Sequence, residues 1–185
     1  MLPGREPATE VEVLTAGMRV RGTPLFLDAR QATGLSFVSH AHSDHVARHQ
    51  RVVATSATLR LLTHRVGRLP SSLPAPVGQP FTLENLDLEL VHAGHVLGSA
   101  QVRVTRKGRC IAYTGDLNTA ASLTAPPAGI AFCDVLVIES TFGLPKYRFP
   151  PREETYEAIR GFVRSAFDSG ATPVLFAYTL GKSQE

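Results

Sequence analysis

Apolar residues along this 185-residue chain fall mostly into short alternating or continuous runs, a strand pattern more than a helical one. Segments rich in β-branched and aromatic residues predict strands at Val11–Leu14, Pro24–Asp28, Leu35–Ser39, Gln50–Ala54, Leu86–His92, Ala100–Thr105, Arg109–Thr114 and Val135–Glu139. Turn formers separate them, notably Gly22-Thr23-Pro24, Lys107-Gly108-Arg109 and Ala125-Pro126-Pro127, and residues 100–114 predict a hairpin folded about Lys107-Gly108. Thr55–Arg65 predicts a short helix capped by Thr55 or Ser56. After Gly143 the pattern changes. Pro150-Pro151 opens a helical stretch through Phe167, with Glu153 and Glu154 in its first turn and Ile159, Phe162, Val163 and Phe167 at helical spacing. A further strand is expected over Pro173–Tyr178. Gly181-Lys182-Ser183-Gln184-Glu185 then begins a helix as a βα unit does, so the chain is expected to be cut short there.

The composition, 43% hydrophobic and 19% charged, is that of a globular chain of about one domain. No apolar run reaches the roughly 18–20 residues a membrane span needs. Met1-Leu2-Pro3-Gly4-Arg5 lacks the apolar core of an export signal, and Cys110 and Cys133 are too few and isolated for a disulfide framework, so a cytoplasmic location is expected. The net charge of +3 and pI of about 9.1 are compatible with a polyanionic partner. Sixteen of the 19 basic residues are arginine, which suits phosphate but equally reflects a GC-rich genome. Arg103, Arg106, Lys107 and Arg109 crowd the expected hairpin, where they read as a solvated face or as a contact for a nucleic-acid backbone.

One run changes the picture. The apolar strand Leu35–Ser39 leads directly into His40-Ala41-His42-Ser43-Asp44-His45. In an extended segment His40 and His42 point to the same side and can reach one ion. Asp44 and His45 follow where a helix would start, turned toward a neighbouring ion. Imidazole and carboxylate suit zinc, with manganese or iron at lower affinity.

This run matches the HxHxDH signature of the metallo-β-lactamase superfamily, and further motifs follow in the family's order. Leu25-Phe26-Leu27-Asp28 is similar to the early strand that ends in a supporting aspartate. Ala93-Gly94-His95-Val96-Leu97-Gly98-Ser99-Ala100 resembles the third-motif histidine loop, and Tyr113-Thr114-Gly115-Asp116 the strand delivering a bridging carboxylate. The resemblance implies two divalent metal ions, with His40, His42 and His95 on one, Asp44 and His45 on the other, and Asp116 between them. It also implies a further histidine for the second ion, and no histidine follows Asp116 in this sequence. His92 is read as structural, and His49 and His64 as surface residues.

Ile138-Glu139-Ser140-Thr141-Phe142-Gly143 resembles the first motif of the β-CASP nucleases, and Phe176–Lys182 is similar to the bacterial exonucleases associated with DNA ligases. The fold implied is α+β. Residues 1–143 would be the N-terminal part of a metallo-β-lactamase αβ/βα sandwich, and 144–185 the incomplete start of a β-CASP α/β insertion domain. The function implied is metal-dependent phosphodiester hydrolysis of DNA, with RNA as an alternative substrate and a DNA ligase system as a partner. Asp44, Asp116 and Glu139 would be catalytic, and Ser99 and Lys182 would meet substrate. Glu139 read without the family simply ends a strand and caps the next loop. Gly181-Lys182-Ser183 is not a P-loop, because Phe176 stands where that motif needs glycine. A thioester or lactam hydrolase and an inactive remnant are the rival readings.

Overall fold

The structure, a computed structural model, describes residues 10–185, so the segment Met1–Arg5 read above for an export signal lies outside the described residues. The chain divides into two compact units. One holds the residues up to Glu139 together with Leu180–Glu185, the other Ser140–Thr179.

The larger unit is α+β, two mixed sheets face to face. The first sheet orders β1 (Val11–Leu14), β2 (Gly17–Val20), β3 (Leu25–Leu27), β4 (Leu35–Phe37), β5 (Arg51–Ala54) and β6 (Ser72–Pro74); it is antiparallel from β1 to β3 and parallel from β3 to β6. The second orders β11 (Val135–Val137), β10 (Arg109–Tyr113), β9 (Ala100–Arg106), β8 (Leu86–His92) and β7 (Phe81–Leu83), antiparallel except for the parallel pair β10–β11. Leu25, Leu27, Leu35, Phe37 and Val53 from one sheet meet Leu86, Leu88, Leu90, Val102, Val104, Ile111 and Tyr113 from the other in a single core.

Strand alternation gives the first sheet a second buried face. Val52 and Ala54 point away from that core toward Leu59 and Leu62 of helix α1 (Ser56–Val66). Thr55 caps α1, its hydroxyl accepting from the Thr58 N–H at 3.2 Å. The β9–β10 turn is the one expected: Lys107 and Gly108 both have positive φ, the requirement of a tight two-residue hairpin. Strands β2, β6 and β7 carry too little apolar signal to be foreseen. Pairing with their neighbours makes them strands.

In the smaller unit, helix α2 (Arg152–Asp168) forms where predicted, and Phe142 packs edge-on against Tyr147 and Phe149. The strand expected over Pro173–Tyr178 does not form. A strand needs a neighbour's backbone groups, and no described strand pairs with this segment; Phe176 is 97% exposed. One histidine expectation also fails. His49 is fully buried, its ring against Thr33; His92 lies outside the ligand cluster with an exposed side chain, and its carbonyl accepts from the Gln101 amide and the Gly129 N–H. His64 is exposed on α1 as expected. No helix among the described residues is long and apolar enough to cross a membrane, and Cys110 and Cys133 are free thiols.

Candidate metal centre

Three loops at one edge of the sandwich bring the candidate ligands together. The chain leaving β4 stays extended through His42 and then makes one 3₁₀ turn at Ser43–His45. The loop between β8 and β9 carries His95, and the loop after β10 carries Asp116. His40 Nε2 lies 3.0 Å from His42 Nδ1, and His95 Nε2 lies 3.1 Å from the same nitrogen. Asp116 Oδ2 is 3.5 Å from His95 Nε2 and 3.8 Å from His40 Nε2, while its Oδ1 is 3.4 Å from His45 Nε2. His40, His42, His95 and Asp116 thus offer four ligand atoms that all lie within 4.8 Å of one another.

The surrounding hydrogen bonds decide which nitrogens are bare. Ser39 Oγ donates to Asp28 Oδ2 at 2.5 Å, so its one proton is committed and His40 Nδ1–H must donate to Ser39 Oγ at 2.9 Å. That leaves the lone pair of His40 on Nε2, inside the cluster. His42 Nε2 faces the Leu180 carbonyl at 3.0 Å, an acceptor only, so Nε2 carries the proton and Nδ1 is bare. His45 donates from Nδ1 to Asp28 Oδ2 at 2.8 Å and turns Nε2 toward Asp116. Bare nitrogens at 3.0 Å with a carboxylate beside them repel one another unless a cation lies among them, so this donor set fits a divalent metal.

Asp28 anchors the arrangement. It also accepts from the Ser39 N–H at 2.7 Å and from the Tyr113 hydroxyl at 2.9 Å, and it sits at a positive φ of 44° that a non-glycine residue rarely adopts. With four donors already on its carboxylate, Asp28 orients ligands rather than serving as one. The electrostatics disfavour a proton on His40 and His95 and favour one on His45 and Asp116. Burial, then the neighbouring imidazoles of His45, His95 and His42, pull the His40 pKa down to about 2. Burial also lowers that of His95, against the pull of Asp116. At His45 burial works the same way, but the Asp28 hydrogen bond and the nearby carboxylates outweigh it and raise the pKa. Burial raises the pKa of Asp116 despite His45 and His95.

No family model matches the chain. Curated relatives do. A "Probable DNA ligase" of Opitutus terrae is 36% identical over 86% of this chain and 16% of its own length. The "DNA cross-link repair protein SNM1" of Arabidopsis thaliana is 26% identical over 89% of this chain and 37% of its own. An "Uncharacterized protein in lig 3'region" of Acidianus ambivalens is 35% identical over 58% of this chain, and the match covers 74% of that relative. The chain belongs to the β-CASP branch of the metallo-β-lactamase superfamily. It spans less than two-fifths of the length of the first relatives it matches, the Acidianus protein aside.

Within this β-CASP protein the residues singled out by the motifs take different positions. His40, His42, His95 and Asp116 converge, and His45 borders them through Asp116. Asp44 stands apart, 69% exposed with Oδ2 3.6 Å from His45 Nε2. Glu139 does not enter the ligand set: its Oε1 accepts from the Leu117 N–H at 2.9 Å and so holds the loop that carries Asp116. Ser99, expected at the substrate, is 4% exposed, and its hydroxyl accepts from the His95 and Val96 N–H groups at 3.0 and 3.2 Å. It shapes the His95 loop instead. The same loop is pinned by Thr55 and Thr58, whose hydroxyls donate to the Gly98 carbonyl at 2.7 and 2.9 Å; a side chain at Gly98 would meet Ala57 Cβ at 2.7 Å. Lys182 is exposed within Leu180–Glu185.

On the hairpin, Arg103 pairs with Glu89 at 2.6 Å, Arg106 donates to the Arg21 carbonyl and Arg109 pairs with Glu10, so these cations are engaged inside the unit. The motif reading missed Ser39, Tyr113 and the Leu180 carbonyl. Ser39 and Tyr113 sit beside ligand motifs and were in reach of a search for orienting groups. A backbone carbonyl leaves no mark in a sequence.

Proposed function

We propose that this protein is a two-metal phosphodiesterase acting on nucleic acid, with DNA as substrate and exonucleolytic repair as its setting. The observation that carries the reading is the set of bare imidazole nitrogens facing Asp116. The names of the relatives, a DNA ligase and a DNA cross-link repair protein, support the substrate class, and DNA ligation as the associated system.

His40, His42 and His95 would hold one ion, His45 and Asp44 the second, with Asp116 shared. Zinc is the metal best suited to so many imidazoles, with manganese as the alternative. Such ions supply Lewis acidity to the phosphate and the attacking water. The chain's own residues do the rest. Asp44, the exposed carboxylate, takes the proton of the attacking water as the new O–P bond forms and the bond to the leaving nucleotide oxygen breaks. Asp28 and Ser39 hold His45 and His40 in the required tautomers, and Glu139 fixes the Asp116 loop. Lys182, exposed on the turn after Leu180, would meet a backbone phosphate through its ammonium.

The test is hydrolysis of end-labelled DNA by the purified protein with zinc or manganese. The expected outcome is metal-dependent release of nucleotides that weakens steeply as salt rises. His42→Ala and Asp44→Ala should each abolish it while leaving the circular dichroism spectrum intact. Undiminished turnover in either variant refutes the assignment. Turnover of a thioester that ignores salt, with no action on DNA, replaces the substrate class.

A further inference from the structure

We propose that the Leu180 carbonyl sets the metal-binding tautomer of His42, and that Gly181 is the positioning residue that brings this carbonyl to the site; the proposal rests on reading the cluster as a metal centre. Leu180 is 138 positions from His42 in sequence, yet its oxygen is 3.0 Å from His42 Nε2. A carbonyl can only accept, so this contact commits His42 to an Nε2–H tautomer and leaves Nδ1 as the atom shared between His40 and His95. Without it, His42 could carry its proton on Nδ1 and withdraw the central donor of the cluster.

Several observations show that the approach is built. Gly181 is buried with φ of +95°, a conformation that favours glycine, and a Cβ there would lie 2.7 Å from Val96 Cγ1, one residue from His95. The segment therefore passes against two of the three loops that carry candidate ligands, those of His42 and His95, with no room for a side chain. Gly181 N–H donates to Gln184 Oε1 at 2.8 Å, and Gln184 N–H donates to the Gly181 carbonyl at 3.1 Å, closing a turn that fixes where the Leu180 carbonyl points. The Leu180 side chain packs on the cluster formed by Val38, Ala41, Val52 and Leu59. Outer partners of this kind orient the ring and raise the basicity of the ligating nitrogen.

The experiment compares Gly181→Ala with the unaltered protein. Zinc alone is titrated against a chromophoric chelator, and the His42 imidazole ¹⁵N shifts are read in the zinc-free protein. Zinc affinity should fall about 10- to 100-fold, and the His42 signals should change from the Nε2–H tautomer to a mixture. If Gly181→Ala does not fold, Gln184→Ala loosens the same turn without touching the core, and should give a smaller fall with the same spectroscopic change. Unchanged zinc affinity and an unchanged His42 tautomer in a folded variant overturn the proposal. His42→Ala separates the two readings. If it leaves zinc binding intact, the metal centre itself is wrong; if it weakens binding while the Gly181 and Gln184 variants do not, only the role of Leu180 and Gly181 fails.

Discussion

The larger unit buries a core of apolar side chains against one another, whereas no described apolar side chain of Ser140–Thr179 is fully buried. Phe37 is fully buried between two sheets, but Phe162 on α2, from an equally apolar pattern, is 50% exposed. The polar groups differ in the same way. Asp28 collects four hydrogen bonds out of contact with water, while the Glu157–Arg160 pair of α2 lies in it. A buried polar network is held only where packing excludes water, and an array of bare imidazoles needs such a network to choose its tautomers. The candidate metal centre is thus a property of the two-sheet unit, and the difference can be broken or sharpened by substitution.

The largest effect is expected from the core. Phe37→Ala should lower the urea-unfolding free energy by about 3–5 kcal/mol, while Phe162→Ala should change it by no more than about 0.5 kcal/mol. Comparable losses from the two would mean that the exposed face of α2 is packed, and the contrast would fall.

Next in size is the anchor of the site. Asp28→Asn keeps the shape but places an amide NH₂ among groups that already donate, so it should cost about 1–3 kcal/mol and weaken zinc binding about 10- to 100-fold through His45. Glu157→Gln removes an exposed ion pair and should shift stability by less than about 0.5 kcal/mol. Denaturation curves with and without zinc separate the two variants; full zinc affinity in Asp28→Asn would show that the network does not orient the ligands.

The sequence was most readable where local pattern and tertiary partners coincide. Val11–Leu14 and Leu86–His92 are strands to the residue, and Thr55 caps α1, because alternation and a capping hydroxyl are local signals that neighbours then satisfy. The ligand run was readable for the same reason, since alternation puts His40 and His42 on one side of an extended segment. Pro173–Tyr178 has equal β propensity and no strand paired with it, so the signal yields nothing. Ser99 was expected to meet substrate, but its hydroxyl accepts from the His95 and Val96 N–H groups of its own loop. His49 carries no apolar signature at all. Only the three-dimensional packing buries it.

That burial gives the smallest and most specific prediction. His49 Nδ1 accepts from the Thr33 N–H at 3.2 Å, so its proton is on Nε2, which has no partner among the described residues. Burial lowers its pKa below the ordinary 6.5, with Asp28 pulling weakly the other way. As pH falls below 6.5, the unfolded chain takes up this proton before the folded one does. The contribution of neutral His49 is therefore complete above pH 6.5 and lost as pH drops toward the lower folded value, at no more than about 1.4 kcal/mol per pH unit. His40, lowered to about 2, adds a loss of the same sign, so the informative quantity is the difference between proteins. His49→Asn, whose amide oxygen can accept from Thr33, should have a shallower acid limb than the unaltered protein between pH 6.5 and 5.5 when both are unfolded in urea with zinc chelated. Ser140–Thr179 contains no histidine, so any loss on this limb that comes from histidine belongs to the two-sheet unit. An unchanged slope in His49→Asn would mean that His49 titrates as it does in the unfolded chain, and that its burial does not exclude water as the core around Phe37 does.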